Sequence, residues 1–72
     1  MSMARNDAFQ VKTKAEMLEE ILPAIEARAF ALTLAGKPVL NDPHLIADRE
    51  LAYSFGASIK DVVAAVRRGK GL

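Results

Sequence analysis

The residues best suited to chemistry lie near the C-terminal end of the 72-residue chain, where Arg67, Arg68 and Lys70 follow Lys60. Guanidinium and ammonium groups this dense suit phosphate oxygens, which accept charge-assisted hydrogen bonds from them. The net charge of +1 is uninformative, but its distribution is not. Residues 1–14 carry +2 (Arg5, Lys12 and Lys14 against Asp7), and residues 58–72 carry +3 (Lys60, Arg67, Arg68 and Lys70 against Asp61). Residues 15–35 carry −3, and residues 36–57 carry −1. A polyanion would therefore meet the two ends of the chain. The competing account is structural: cations in a last helical turn answer the carbonyl end of the helix dipole. Lys60 beside Asp61 is equally an ordinary solvated pair, and Glu16, Glu19 and Glu20 form either a solvated face or an acidic docking patch. His44, next to Pro43, reads as a turn or cap residue. Tyr53 reads as a partly exposed helical residue, with a phosphate contact as the lesser alternative.

Catalysis finds no footing. There is no glycine-rich phosphate loop, no nucleophile with a matching base, and no carboxylate pair in a plausible pocket. With no cysteine and one histidine, no metal cluster is expected. A domain this small also has little room for a cleft of the usual ~300 Å³ or more. The expectation is a non-enzymatic protein with no cofactor and no metal.

The cations need a scaffold, and the stretch from Leu45 to Leu72 supplies one: two short helices joined by a tight turn with Gly56 at the corner. Ala52, four residues before that glycine, is small where the helices would converge. Leu51 and Phe55 precede the corner as one apolar side, and Ile59, Val62 and Val66 continue it. Ser58 stands where an N-cap is needed. Upstream, Thr13 and Glu16 have capping-box spacing. Met17, Ile21, Ile25, Ala29 and Leu32 then recur at helical period, with Leu18 and Leu22 widening the stripe. Pro23 interrupts this segment at a cost of about 3 kcal/mol, so a kinked or broken helix is expected. Phe30 and Leu34 fall on another side, which suits either a central core helix or contact with a second copy. Gly36 and Pro38 end the segment. The next helix starts either at Pro43, capped by Asp42, or at Arg49, capped by Asp48.

The predicted fold is all-α: a small helical domain with a long, kinked or broken N-terminal helix packed on a C-terminal helix-turn-helix. Residues 1–12 are expected as a flexible arm, in which Phe9 and Val11 could form a short extended segment. Residues 13–72 form a single domain, with the helix-turn-helix at about 45–70. A chain of this length buries roughly 60% of its unfolded surface, so association with a second copy is the natural way to add buried area. No signal-like or membrane-spanning run occurs, and the expected setting is cytoplasmic.

Taken together, Leu45-Ile46, Glu50-Leu51-Ala52, Phe55-Gly56-Ala57-Ser58, Val62, Val66 and Arg68-Gly69-Lys70 resemble the excisionase-like and MerR-like helix-turn-helix domains. The resemblance covers about 28 residues, Leu45 to Leu72. It implies that the helix from about Ser58 to Arg68 enters the major groove. Ser58, Lys60, Asp61, Ala64 and Arg67 would face DNA, with Arg68 and Lys70 near the backbone. Four features depart from the family pattern: Asp61 replaces a common threonine, Ala64 and Ala65 stand where an aromatic is often found, Val63 lies beside the presumed reading face, and the β-wing has no counterpart before Leu72.

Two functions follow. One is a homodimeric regulator that binds double-stranded DNA, either a transcriptional regulator or a recombination directionality factor. The alternative is a protein-binding regulator (an antiactivator, antitoxin or phage-type inhibitor) that uses the same shape to occlude another regulatory protein. Ile59, Val63 and the Asp61 charge near the presumed reading face favour the alternative.

Overall fold

The computed structural model describes residues 12–72, among which lie three helices: α1 (Lys14–Leu34), α2 (Pro43–Ser54) and α3 (Ile59–Lys70). All but the last residue of the expected N-terminal arm, including Phe9 and Val11, falls outside the described residues. The long α1 packs chiefly on α3 and less on α2, while α2 and α3 touch each other least.

Each helix begins on a side-chain cap. The Thr13 hydroxyl accepts the Glu16 N–H at 3.1 Å while the Glu16 carboxylate accepts the Thr13 N–H at 2.8 Å, completing the capping box. The hydrogen bond from the Thr13 backbone N–H, seconded by the Thr13 side chain, holds the Glu16 carboxyl below its ordinary range. Asp42 caps α2 by accepting the Leu45 N–H at 3.0 Å, with Pro43 in the first turn. Of the two possible starts for this helix, the earlier is therefore the real one, and His44 is an exposed first-turn residue rather than a cap. Ser58 caps α3 by accepting the Asp61 N–H at 3.1 Å.

The helices also end alike. At the corner before α3, the Ala57 N–H donates to the Ala52 carbonyl at 3.0 Å and the Gly56 N–H to Tyr53 at 3.0 Å. This Schellman closure needs a left-handed residue, and Gly56 supplies φ +94°. The same pair of bonds closes α1 around Gly36 and α3 around Gly71.

The core holds Ile21, Ile25 and Ala29 of α1, Leu45 and Ala52 of α2, and Val62, Ala65 and Val66 of α3, with Val39 contributed by the loop. Met17, Leu18, Leu22, Leu32 and Phe55 pack at its margin, as their spacing predicted for α1. Ile59 does not continue the buried stripe of α3: helical spacing sets it within about 20° of the buried Val66, yet as the first residue of the helix it stands beyond the core and is 70% exposed. Pro23 does not divide α1, which runs unbroken through it. The buried Ile21 and Ile25 bracket the proline and fix both halves of the helix to one core, while Pro23 itself is exposed. The Glu19 carbonyl that loses a donor is thus on the side open to water.

Gly69 sets the distance between α1 and α3. A Cβ there would lie 2.3 Å from the Glu26 carbonyl oxygen and 2.7 Å from Ala29 Cβ. With Ala65 one turn earlier and Ala29 opposite, small side chains let the two backbones nearly touch. Two ion pairs tie the helices at the surface. Arg28 of α1 meets Asp48 of α2 at 2.9 Å, and Arg68 of α3 meets Glu26 of α1 at 2.9 Å. A third pair joins Lys12 to Glu20.

Candidate functional site

With Val62, Ala65, Val66 and Gly69 turned inward, helical geometry leaves Lys60, Val63, Ala64, Arg67 and Lys70 on the sides of α3 away from α1, while Ile59 is exposed at the first residue of the helix. Lys60, Arg67 and Lys70 are exposed and make no ion pair among the described residues. Lys60 and Arg67 are seven residues apart and so share a side, about 10 Å apart along the helix axis. Ala64 lies one turn beyond Lys60 and one short of Arg67, half-buried.

The other expected site residues are placed differently. Ser58 and Asp61 sit together at the start of α3, where the serine hydroxyl is engaged as a cap and the aspartate lies in the first turn, near the positive end of the helix dipole. Arg68 is on the flank facing α1, with its Nε donating to Glu26. Its side chain remains 55% exposed, so one part of the guanidinium is held by a carboxylate and the rest meets water. The expected cluster therefore separates into an outward group of Lys60, Ala64, Arg67 and Lys70, a capping pair, and one arginine paired to the long helix.

The outward surface is apolar as well as basic. Val63 is 46% exposed, and Leu72, just beyond the helix, is 70% exposed. On the side toward α2 these residues border a groove of about 240 Å³. Its apolar walls are Val62, Val63 and Val66 of α3, Leu40 of the loop, Leu72 and the Tyr53 ring. Its charged side chains are Arg49, Arg67 and Lys70, with no aspartate or glutamate among them. Arg49 Nε is shut off from solvent and has no hydrogen-bond partner among the described residues.

Arg49 and the groove were not foreseen. The available signal was Arg49 and Tyr53, four residues apart on α2 and hence on one face. What the sequence lacks is any sign that this face would turn toward Arg67. Among the described residues no cluster of histidine, cysteine or carboxylate side chains could hold a metal, and no helix is long and apolar enough to cross a membrane. Neither a family model, nor a curated protein, nor a solved structure matches the chain.

Proposed function

We propose that the protein is a small helix-turn-helix regulator that lays the outward side of α3 on double-stranded DNA, acting as a homodimer. The observation behind this reading is the exposed set of Lys60, Arg67 and Lys70, without an ion pair among the described residues, on a helix whose opposite side is buried. In this reading Arg67 and Lys70 contact phosphates, while Lys60 and Ala64 meet base edges. Ser58 donates its hydroxyl proton to a phosphate while its oxygen keeps the cap. Arg68, already bonded to Glu26, contributes least. The transcriptional and recombination roles implied by the family resemblance both use this mode.

Two cationic phosphate contacts per protomer give a slope of log K against log salt near −2 for one copy and near −4 for two. Duplex binding measured from low to moderate salt tests this. Arg67→Ala should weaken binding and make the slope shallower by about 1. Absence of binding even at low salt would rule the reading out.

A second reading is favoured by Ile59 and Val63, apolar side chains standing among the cations. There the same surface covers another regulatory protein. An Ile59→Ser, Val63→Ser double variant that keeps full DNA affinity but loses a protein partner would support it.

A further inference from the structure

We infer that the groove between α2 and α3 is a binding site for a small organic carboxylate with a compact apolar body. This goes beyond DNA binding and uses a residue, Arg49, that DNA binding does not. The charge of the ligand follows from the lining: Arg49, Arg67 and Lys70 border the groove without a carboxylate side chain among them. A carboxylate is the planar acceptor that a guanidinium fork fits. The apolar body follows from the floor, where Val62, Val63 and Val66 present hydrocarbon between the cations. Size limits the ligand. The groove's volume of about 240 Å³ is below the ~300–1,000 Å³ of sites for drug-sized ligands. Walls from two helices, the α1–α2 loop and Leu72 enclose it on several sides, which suits one ring or short branched chain better than a traversing peptide helix.

The test is titration of the ¹⁵N-labelled full chain with 3-phenylpropionate, indole-3-acetate and octanoate, each beside its neutral primary amide. At least one acid should give saturable amide shifts centred on Arg49, Tyr53, Val63 and Arg67. Its amide should bind at least ten-fold more weakly. Arg49→Gln should weaken the acid at least ten-fold, and Arg67→Gln, a change at an exposed position, should do the same with no effect on folding. If none of the three acids saturates, or if acid and amide bind alike, the assignment is overturned. It is also overturned if a helical peptide with leucines set between glutamates moves the same residues at ten-fold lower concentration than any acid. The site would then be a peptide-docking surface. The outcome is separable from DNA binding: Lys60→Ala should weaken DNA and leave the acid unaffected, and Arg49→Gln should do the reverse.

Discussion

Replacing Gly69 with alanine should destabilise the domain, although the substitution favours a helix in isolation. Two effects oppose each other. In an open helix, glycine to alanine gains roughly 1 kcal/mol through reduced backbone entropy loss and better propensity. Here the added methyl would lie 2.3 Å from the Glu26 carbonyl oxygen, 2.7 Å from Ala29 Cβ and 3.0 Å from the Phe30 nitrogen. Ordinary contacts of a methyl carbon are near 3.5–4.0 Å. Two of the three obstructing atoms are backbone and the third is a Cβ, so no side-chain rotation relieves the overlap. The helices must separate by about 1 Å. That would loosen Ala65 and Val66 from Ile25 and Ala29 across the largest helix contact in the domain.

Overpacking of this kind costs about 1–3 kcal/mol, and a clash with backbone belongs at the upper end. Subtracting the propensity gain leaves a net loss of about 2 kcal/mol. A domain of this size has roughly 4–11 kcal/mol in total, so the midpoint of thermal unfolding should fall by about 8–16 °C. Far-UV circular dichroism against temperature and urea measures it, with the m-value showing whether the native state stays compact. A Gly69→Ala protein as stable as the parent, or more so, would mean that the two backbones are not in contact at this position.

Three other outcomes follow from local geometry. Gly56→Ala places a side chain at φ +94° in open space, so it should cost about 1–2 kcal/mol from backbone strain alone in urea unfolding, with the m-value unchanged. A double-mutant cycle on Arg68 and Glu26 should return a coupling of at most about 1 kcal/mol, shrinking with salt, because both side chains are largely in water. The Glu16 carboxyl has a lower pKa folded than unfolded, so its charge stabilises the fold above pH 4.5 and ceases to as pH falls through the folded value. Glu16→Gln should thus be less stable than the parent at neutral pH. The gap should close on acidification below pH 4.5, and a gap constant from pH 7 to 3 would contradict the capping assignment.

Caps, stops and the apolar stripe of α1 were legible in the sequence because each depends on residues within one or two turns of one another. Thr13 with Glu16, Ser58 after Gly56, and Ile21, Ile25 and Ala29 at helical period are all local patterns that the fold retains. The expectation of a kinked or broken helix at Pro23 weighs a local cost without the tertiary gain that opposes a break: two isoleucines buried on either side hold the continuous helix in register. Ile59 was misplaced for a related reason. Its spacing sets it on the side of Val66, but as the first residue of α3 its side chain stands past the end of the core.

The largest gap between sequence and site lies in three consecutive residues. As a run, Arg68-Gly69-Lys70 suggests one purpose, the end of a DNA-binding helix. Successive residues on a helix point 100° apart, so three neighbours cannot share one surface. Arg68 turns to the flank of α1 and bonds Glu26; Gly69 faces α1 and sets the spacing of the domain; Lys70 returns to the groove beside Arg67. Only long-range packing separates these roles, because Glu26 and Ala29 lie some forty residues upstream. For the same reason Arg49 could not be assigned from its neighbours: its relation to Arg67 exists only once α1 has gathered α2 and α3 onto one core. For the proposed binding surface, the charge available is therefore what remains after the fold has used Arg68. That remainder is Lys60, Arg67 and Lys70 on α3, joined by Arg49 from α2.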